Sequence, residues 1–456
     1  MARAEGKRRV SARLVEDEEY QRRFERVCGI DVGKASAVAC TRLPPGRDGG
    51  RRASRVETVE ASVPEVAALA GRLLADGVEM VTLESTSDYW RVWFYVLEAA
   101  GLSVQLVSSS QARRLSGRPK TDVLDAQWLA RLTEMGLLRP SFVPPAEIRA
   151  LRDYTRTRTH LVQDRSREWQ RLEKLLEGAL IKVSSVASRL ATQSALDMVR
   201  ALIDGERDPR RLAGLARGKM RGKLPELERA LTGLFGDHHA ELARDHLDYI
   251  AFLDRKVARL DDLIAACLDD IPQSWGTDAG GATGPGAGAG QDAAVLRAVT
   301  RLAEIPGMSE GLARNIIAEI GLDMTRFPTA AHLASWAGLA PVAAQSGTRS
   351  TQKKGQGDSY ARAAATQAAH GAARTKTFLG ERYQRIARRR GKTRATVAVA
   401  RSILTIIWHL LSNPAARYHD LGYDHHARKT DRDKKLRGHV RQIQALGYDV
   451  TITPAT

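Results

Sequence analysis

The chain has 456 residues, too many for one ordinary core, so two or three domains are expected. Its 71 Lys and Arg against 53 Asp and Glu give a formal charge of +18, which favours a polyanionic partner. Charge by itself does not separate a nucleic-acid binder from a protein with a merely basic surface. The three cysteines, Cys28, Cys40 and Cys267, form no CxxC pair, so neither a zinc module nor a disulfide framework is suggested. The basic start, Lys7-Arg8-Arg9, is followed by no apolar segment of the signal-peptide kind. The longest apolar run, Ile403 to Leu411, is too short to span a bilayer. A cytoplasmic, nucleoid-associated protein with no membrane partner is expected.

Residues 1–23 read as a basic arm. Val27 to Val32 forms a first strand, Ala35 to Leu43 a second, and Arg55 to Glu60 alternates as a third. Val63 to Ala75 reads as a helix with Ser62 at its N-cap and Pro64 in its first turn. A strand from Val78 to Glu84, a helix from Asp88 to Ala100 and a strand from Leu102 to Val107 follow, then a helix carrying Asp122 and Asp125. Three strands, helix, strand, helix, strand, helix is the order of the RNase H-like (RuvC-like) fold, expected over residues 24–146. In that fold acids at neighbouring strand ends meet at one edge of the sheet.

Residues 147–275 read as an almost wholly helical, coiled-coil domain. Ile250, Leu253, Val257, Leu260, Ile264 and Cys267 step by three and four. This seam suits pairing between protomers, slightly favoured here, or a helical hairpin within one chain. Residues 276–292 are Gly- and Ala-rich and read as a flexible linker. Residues 293–424 read as a mainly helical domain. In it Ile305-Pro306-Gly307-Met308 resembles the turn of a helix-hairpin-helix, which offers N–H groups to phosphate. Glycine-capped turns are common, and a plain structural turn is the competing reading. Lys353 to Asp358 reads as a basic, glycine-broken loop, and residues 425–456 as a basic tail.

Four acids carry the chemistry. Asp122 and Asp125, in Lys120–Ala126, share one helix face. Asp31 lies in an otherwise apolar strand, where an acid rarely sits without a partner or a metal. Glu84 ends a strand, with Asp88 as second choice for its role. Oxygen-only ligands suit Mg²⁺ or Mn²⁺, and two such ions can flank a phosphodiester. Singly, each acid is an ordinary surface carboxylate. Ser346 stands before Gly347, which permits a tight turn exposing its hydroxyl, with Arg349, Lys353 and Lys354 nearby for phosphate. By composition it is one serine among many. Arg388, Arg389, Arg390 and Lys392 lie in a dense positive run, a solvated face or a set of backbone contacts.

The segments GIDVGK, TLESTSDYW, KTDVLDAQWLA, IPGMSEGLA and SWAGLAPVAAQSG resemble the DEDD transposases of bacterial insertion sequences. This is the family numbered one hundred and ten, described as bridge-RNA-guided serine recombinases. The resemblance spans roughly residues 24–423. It implies that Asp31, Glu84, Asp122 and Asp125 hold magnesium, and that Ser346 attacks DNA to form a covalent 5′-phosphoserine link. It also implies donor and target DNA as substrates, a noncoding guide RNA as partner, and a homodimer or homotetramer with a composite site. The long helical middle, the glycine-rich linker, the basic tail and Asp358-Ser359-Tyr360 depart from the family pattern. The alternative is a RuvC-like nuclease of the junction-resolvase type, in which water is the nucleophile and Ser346 is idle. A noncatalytic DNA- or RNA-binding protein is the third reading.

Overall fold

The computed structural model describes residues 22–45, 52–85, 87–108, 121–271, 297–346, 349–354, 357–426 and 432–452. Nearly all of the expected basic arm and the whole glycine-rich linker lie outside them. The chain forms two compact units that divide after Val143.

The first unit is built on five strands: β1 (Val27–Val32), β2 (Ser36–Leu43), β3 (Ala53–Glu60), β4 (Met80–Ser85) and β5 (Val104–Ser108). Their spatial order is β3-β2-β1-β4-β5. The first three form an antiparallel meander, and β4 and β5 add in parallel. Among the described residues, helices α1 (Val63–Ala75), α2 (Trp90–Ala99) and α3 (Asp122–Glu134) accompany the sheet. This is the mixed sheet of the RNase H-like fold. Alternation along β1 sends Cys28, Ile30 and Val32 into one core with Leu69 and Leu73 of α1 and Trp93 and Leu97 of α2. Val27, with Val38 and Cys40, faces the other way, against Ala126 and Ala130 of α3. Ser62 does hold the N-cap position of α1, but its side chain makes no capping bond.

α3 lies directly on β1 because residue 29 has no side chain. A Cβ built on Gly29 falls 2.4 Å from the Ala130 nitrogen and 2.7 Å from the Ala126 oxygen. Further along α3, the Thr133 hydroxyl donates to Thr82 Oγ1 of β4 at 2.7 Å. At its C-terminal end the Glu134 carbonyl accepts from the Arg23 N–H at 2.9 Å, just before β1 begins. The buried Glu134 carboxylate is held by Arg42 at 2.7 Å, Arg22 at 2.9 Å and Arg52 at 3.1 Å. So α3 runs against the direction of β1, and its first turn lies where β1 and β4 end.

The second unit opens with α4 (Ala146–Gly178) and closes its first half with α9 (Asp237–Asp269). Between them come α5 (Val183–Val186), α6 (Gln193–Ile203), α7 (Pro209–Gly214) and α8 (Leu224–Leu231), which share a compact core. The two long helices pair antiparallel: Arg158 meets Asp261, Arg165 meets Asp254, and Glu168 meets His246. Of the heptad seam, Ile250, Leu253, Val257 and Ile264 are buried within the single chain. The hairpin reading of the seam therefore describes the structure. The reading as a seam between protomers does not, because α4 of the same chain already covers it.

Next come α10 (Ala298–Ala303), α11 (Glu310–Ile320) and α12 (Ala330–Trp336), then a hairpin of β6 (Pro341–Ser346) and β7 (Arg349–Lys354). They are followed by α13 (Ser359–Ala372), α14 (Phe378–Arg390), α15 (Lys392–Ser412) and α16 (Arg432–Ala445). The turn before α11 serves packing. Gly307 has a φ of 84°, and a Cβ there would lie 2.3 Å from the Ala368 oxygen and the Ala372 nitrogen of α13. α15 is longer than the Ile403–Leu411 run suggests, and by length and composition alone it is long enough to cross a bilayer. Its Val399, Ile403, Leu404 and Ile407 are instead fully buried in this unit, as in a core helix.

One polar network ties α4, α11 and α13 together. Buried Glu319 accepts both Arg156 Nε and Nη2 at 2.8 Å and pairs with Arg152 at 3.1 Å. Arg156 reaches on to Asp358 at 3.4 Å and lies 4.5 Å from the centre of the Tyr360 ring, whose hydroxyl meets His160 at 2.8 Å. Asp358 also caps α13, accepting from the Ala361 N–H at 2.7 Å.

Two substitutions test these contacts. Gly29→Ala forces α3 off the sheet and should cost about 1–3 kcal/mol, as overpacking does, read as an earlier midpoint in chemical denaturation. Glu319→Ala takes the buried carboxylate from two arginines, leaving Arg156 with Asp358 and Arg152 with backbone carbonyls, and should cost about 3 kcal/mol by the same measurement.

Candidate active site

The ends of β1 and β4 gather the first two acids. The strands are in register with Ile30 opposite Leu83, so Asp31 and Glu84 follow one step on, on neighbouring strands about 4.8 Å apart. Alternation places both on the α3 side. Ile30 and Leu83 belong to the core under α1 and α2, whereas Val27 and Thr82 touch α3. Both acids are half-buried.

The first turn of α3 supplies the other two. Thr121 caps it, its hydroxyl accepting from the Leu124 N–H at 3.3 Å. Asp122 shares a face with Ala126 and Ala130, above β1. Asp125 shares a face with Leu129 and Leu132, which pack on Val107, the residue paired with Glu84 across β4 and β5. A helix N-terminus favours negative charge, so two acids in this turn are stabilised locally. Asp122 is exposed and Asp125 half-buried. The fold thus directs all four acids toward one end of one sheet face. Among the described residues, however, no three His, Cys, Asp or Glu side chains already form a group that could hold a metal. The fit to a divalent ion rests on the donor set, which is all carboxylate oxygen. Asp88, the second choice for Glu84's role, is exposed in the turn before α2 and pairs with Arg91 at 3.0 Å.

Ser346 is the last residue of β6, and its backbone pairs with Arg349, the first of β7. Gly347 and Thr348 between them lie outside the described residues. The stretch from Lys353, read from sequence as loop, begins inside a strand: Lys353 pairs with Val342 and Lys354 with Pro341. The base of this hairpin is pinned. The Asp358 N–H donates to the Trp336 carbonyl at 3.1 Å, and a Cβ on Gly357 would lie 2.3 Å from the Gly338 nitrogen. The Asp358 departure from the family pattern therefore has a structural use, as cap, ion-pair partner and clasp.

Arg388, Arg389 and Arg390 are exposed on the last turn of α14, and Lys392 opens α15 beyond Gly391. The positive run thus wraps the corner between two helices. Of these four only Lys392 also lines something the sequence did not reveal, a cleft of ≈ 1430 Å³ between α13, α14 and α15. Arg362, Arg382, Arg394 and Arg401 line it along with Lys392. These arginines are scattered over three helices, and only the seven-residue step from Arg394 to Arg401, two helical turns on one face, hinted at them. The cysteines offer no alternative nucleophile. Burial pushes the Cys28 thiol up to about 12, opposed in part by Thr41, and Cys40 is buried on the opposite face of the sheet.

Residues 28–181 match a transposase model of the DEDD, IS110 type, and residues 299–384 match the model described as Transposase IS116/IS110/IS902 family. No curated protein matches the chain. Among solved structures, the Thermus thermophilus RuvC structure is 16% identical with a TM-score of 0.20, over 25% of this chain and 99% of that one. T. thermophilus RuvC in complex with Holliday junction substrate is 15% identical with a TM-score of 0.21, over 26% and 99%. The fold is read from the strand order rather than from these two. The two family matches together take in more than half of the residues, and the chain belongs to the IS110-family transposases, enzymes that cut and join DNA.

Proposed function

We propose that this transposase cuts and rejoins DNA through a covalent bond to Ser346, with Asp31, Glu84, Asp122 and Asp125 as the acids that serve the reaction. What supports the reading is where those acids lie, at one end of one sheet face: two at adjacent strand ends, two in the helix turn above them. They would hold Mg²⁺ or Mn²⁺, which when bound neutralises charge on the phosphoryl oxygens.

The Ser346 hydroxyl attacks the scissile phosphorus. A bond forms between its Oγ and phosphorus, the bond from phosphorus to the 3′ oxygen breaks, and that oxygen leaves as a 3′-hydroxyl carrying a proton. The serine proton passes to a base or to solvent. A 3′-hydroxyl of another strand then attacks the phosphoserine and restores Ser346. One phosphodiester is exchanged for another, so joining needs no ATP. The chain has no GxxxxGK[ST] loop, which agrees. Arg349, Lys353 and Lys354 on β7 would steady the phosphate, and Arg388, Arg389, Arg390 and Lys392 the flanking backbone. Family likeness supports a guide RNA for sequence choice and an assembly of two or four protomers in which one protomer's acids meet another's serine.

The test is to incubate the protein with its element's RNA, donor and target DNA and Mg²⁺, and to look for a protein–DNA adduct on a denaturing gel. Ser346→Ala should abolish the adduct. Asp31→Asn or Glu84→Gln should slow strand cleavage by about a hundredfold or more, since metal-held charge is worth several kcal/mol. Chelation should stop cleavage and added Mg²⁺ restore it. Free 3′-hydroxyl and 5′-phosphate ends with no adduct would instead establish hydrolysis by water.

A further inference from the structure

The cleft between α13, α14 and α15 has a composition that no packing need explains. Five cations line it, Arg362, Arg382, Lys392, Arg394 and Arg401, with His370. Among the described residues at its walls there is no Asp or Glu. Like charges gathered in a concavity focus a positive field and raise one another's cost until an anion arrives. Arg382 is, with Arg362, one of the two half-buried examples. Its Nε is buried and has no hydrogen-bond partner. Burial, with Arg385 and Arg401 close by, pulls its pKa down, and Glu381 opposes this only in part. Glu381 is itself engaged by Arg385 at 3.2 Å.

The rest of the wall is apolar. Leu339, Phe378, Ile406 and Val397 line it, and Val397 stands 43% exposed. A duplex presents phosphates and keeps its base faces stacked inside, so it has no use for such a wall. A single strand presents both phosphates and bare base faces, and proteins that hold single strands combine cations with apolar or aromatic platforms. Arginine's planar fork suits the phosphates.

One wall also places the cleft on the path to the serine. Gly338, Leu339 and Ala340 line it and lead straight into β6, at whose far end Ser346 lies. From Ala340 to Ser346 an extended chain spans about 20 Å, a few nucleotides of backbone.

We propose that this cleft grips a single-stranded segment of the DNA substrate, phosphates on Arg382, Arg394 and Arg401 and bases against Val397 and Phe378. That the occupant is DNA rests on the serine-recombinase reading; that the cleft takes a single-stranded polyanion does not.

The experiment uses the full-length protein carrying Ser346→Ala, which forms no adduct, so binding is read apart from the serine chemistry. Fluorescence anisotropy measures a labelled single-stranded oligodeoxynucleotide, the same sequence as RNA, and the DNA duplex. Arg394→Gln and Arg401→Gln alter exposed side chains and should leave the melting temperature unchanged. Together they should weaken single-stranded DNA binding about tenfold and flatten its log–log salt dependence by about 0.7 per lost phosphate contact. Val397→Asp should weaken it as well, while Arg255→Gln on α9, with the same charge change as either single arginine variant, should not. An equal loss with Arg255→Gln, or no loss with the cleft variants, would overturn the proposal. Equal losses for duplex would overturn its single-strand part. Losses confined to the RNA would assign the cleft to RNA instead of DNA.

Discussion

The contact on which the catalytic unit depends is the one between α3 and β1 at Gly29. A helix ordinarily stands about 10 Å from a sheet it covers, separated by side chains. Here the backbone of Ala126 and Ala130 comes within reach of where a Cβ would be, so the helix sits lower. That descent brings the first turn of α3, with its two acids, down toward the strand ends. At the other end Glu134 and three arginines anchor the helix. A close approach at the middle and an ion cluster at the tail fix the direction of the helix. The role proposed for the acids at its head depends on both.

The second unit uses a related device. Glu319 is buried under two arginines, and one of them extends to Asp358 at the foot of the serine hairpin. A buried ion pair adds little stability beyond what well-packed apolar residues would give, but it fails steeply when broken. Such a pair suits a place where geometry matters more than strength. The hairpin it supports is short and makes a two-stranded sheet of its own, so the clasp at Trp336, Gly338, Gly357 and Asp358 does much to orient it.

Much of the first unit was legible because its signals are local. Strand alternation, a Pro64 in the first turn and an apolar stripe fix α1 at Val63–Ala75 in sequence and structure alike. The three-strand meander and the later parallel strands follow from element order. The acids stood out because Asp31 interrupts an apolar strand. Other features were not local. The sequence displays Gly29 but not the helix that descends on it. The seam of α9 reads the same whether its partner is α4 or another chain. The hairpin escaped because β7, Arg349-Ser350-Thr351-Gln352-Lys353-Lys354, has no apolar face to alternate. The cleft escaped because its cations are assembled from three helices.

The paired helices α4 and α9 have a consequence for scale. Each has 33 residues, which at 1.5 Å per residue is about 50 Å of rigid rod. The small helical cluster of α5 to α8 sits at the far tip of that rod, and the Glu319 network grips α4 near its root. The arm is therefore a ruler. The tip is held about 50 Å from the root, the length of about fifteen base pairs, and shortening both helices by matched turns would draw it in by about 5.4 Å a turn.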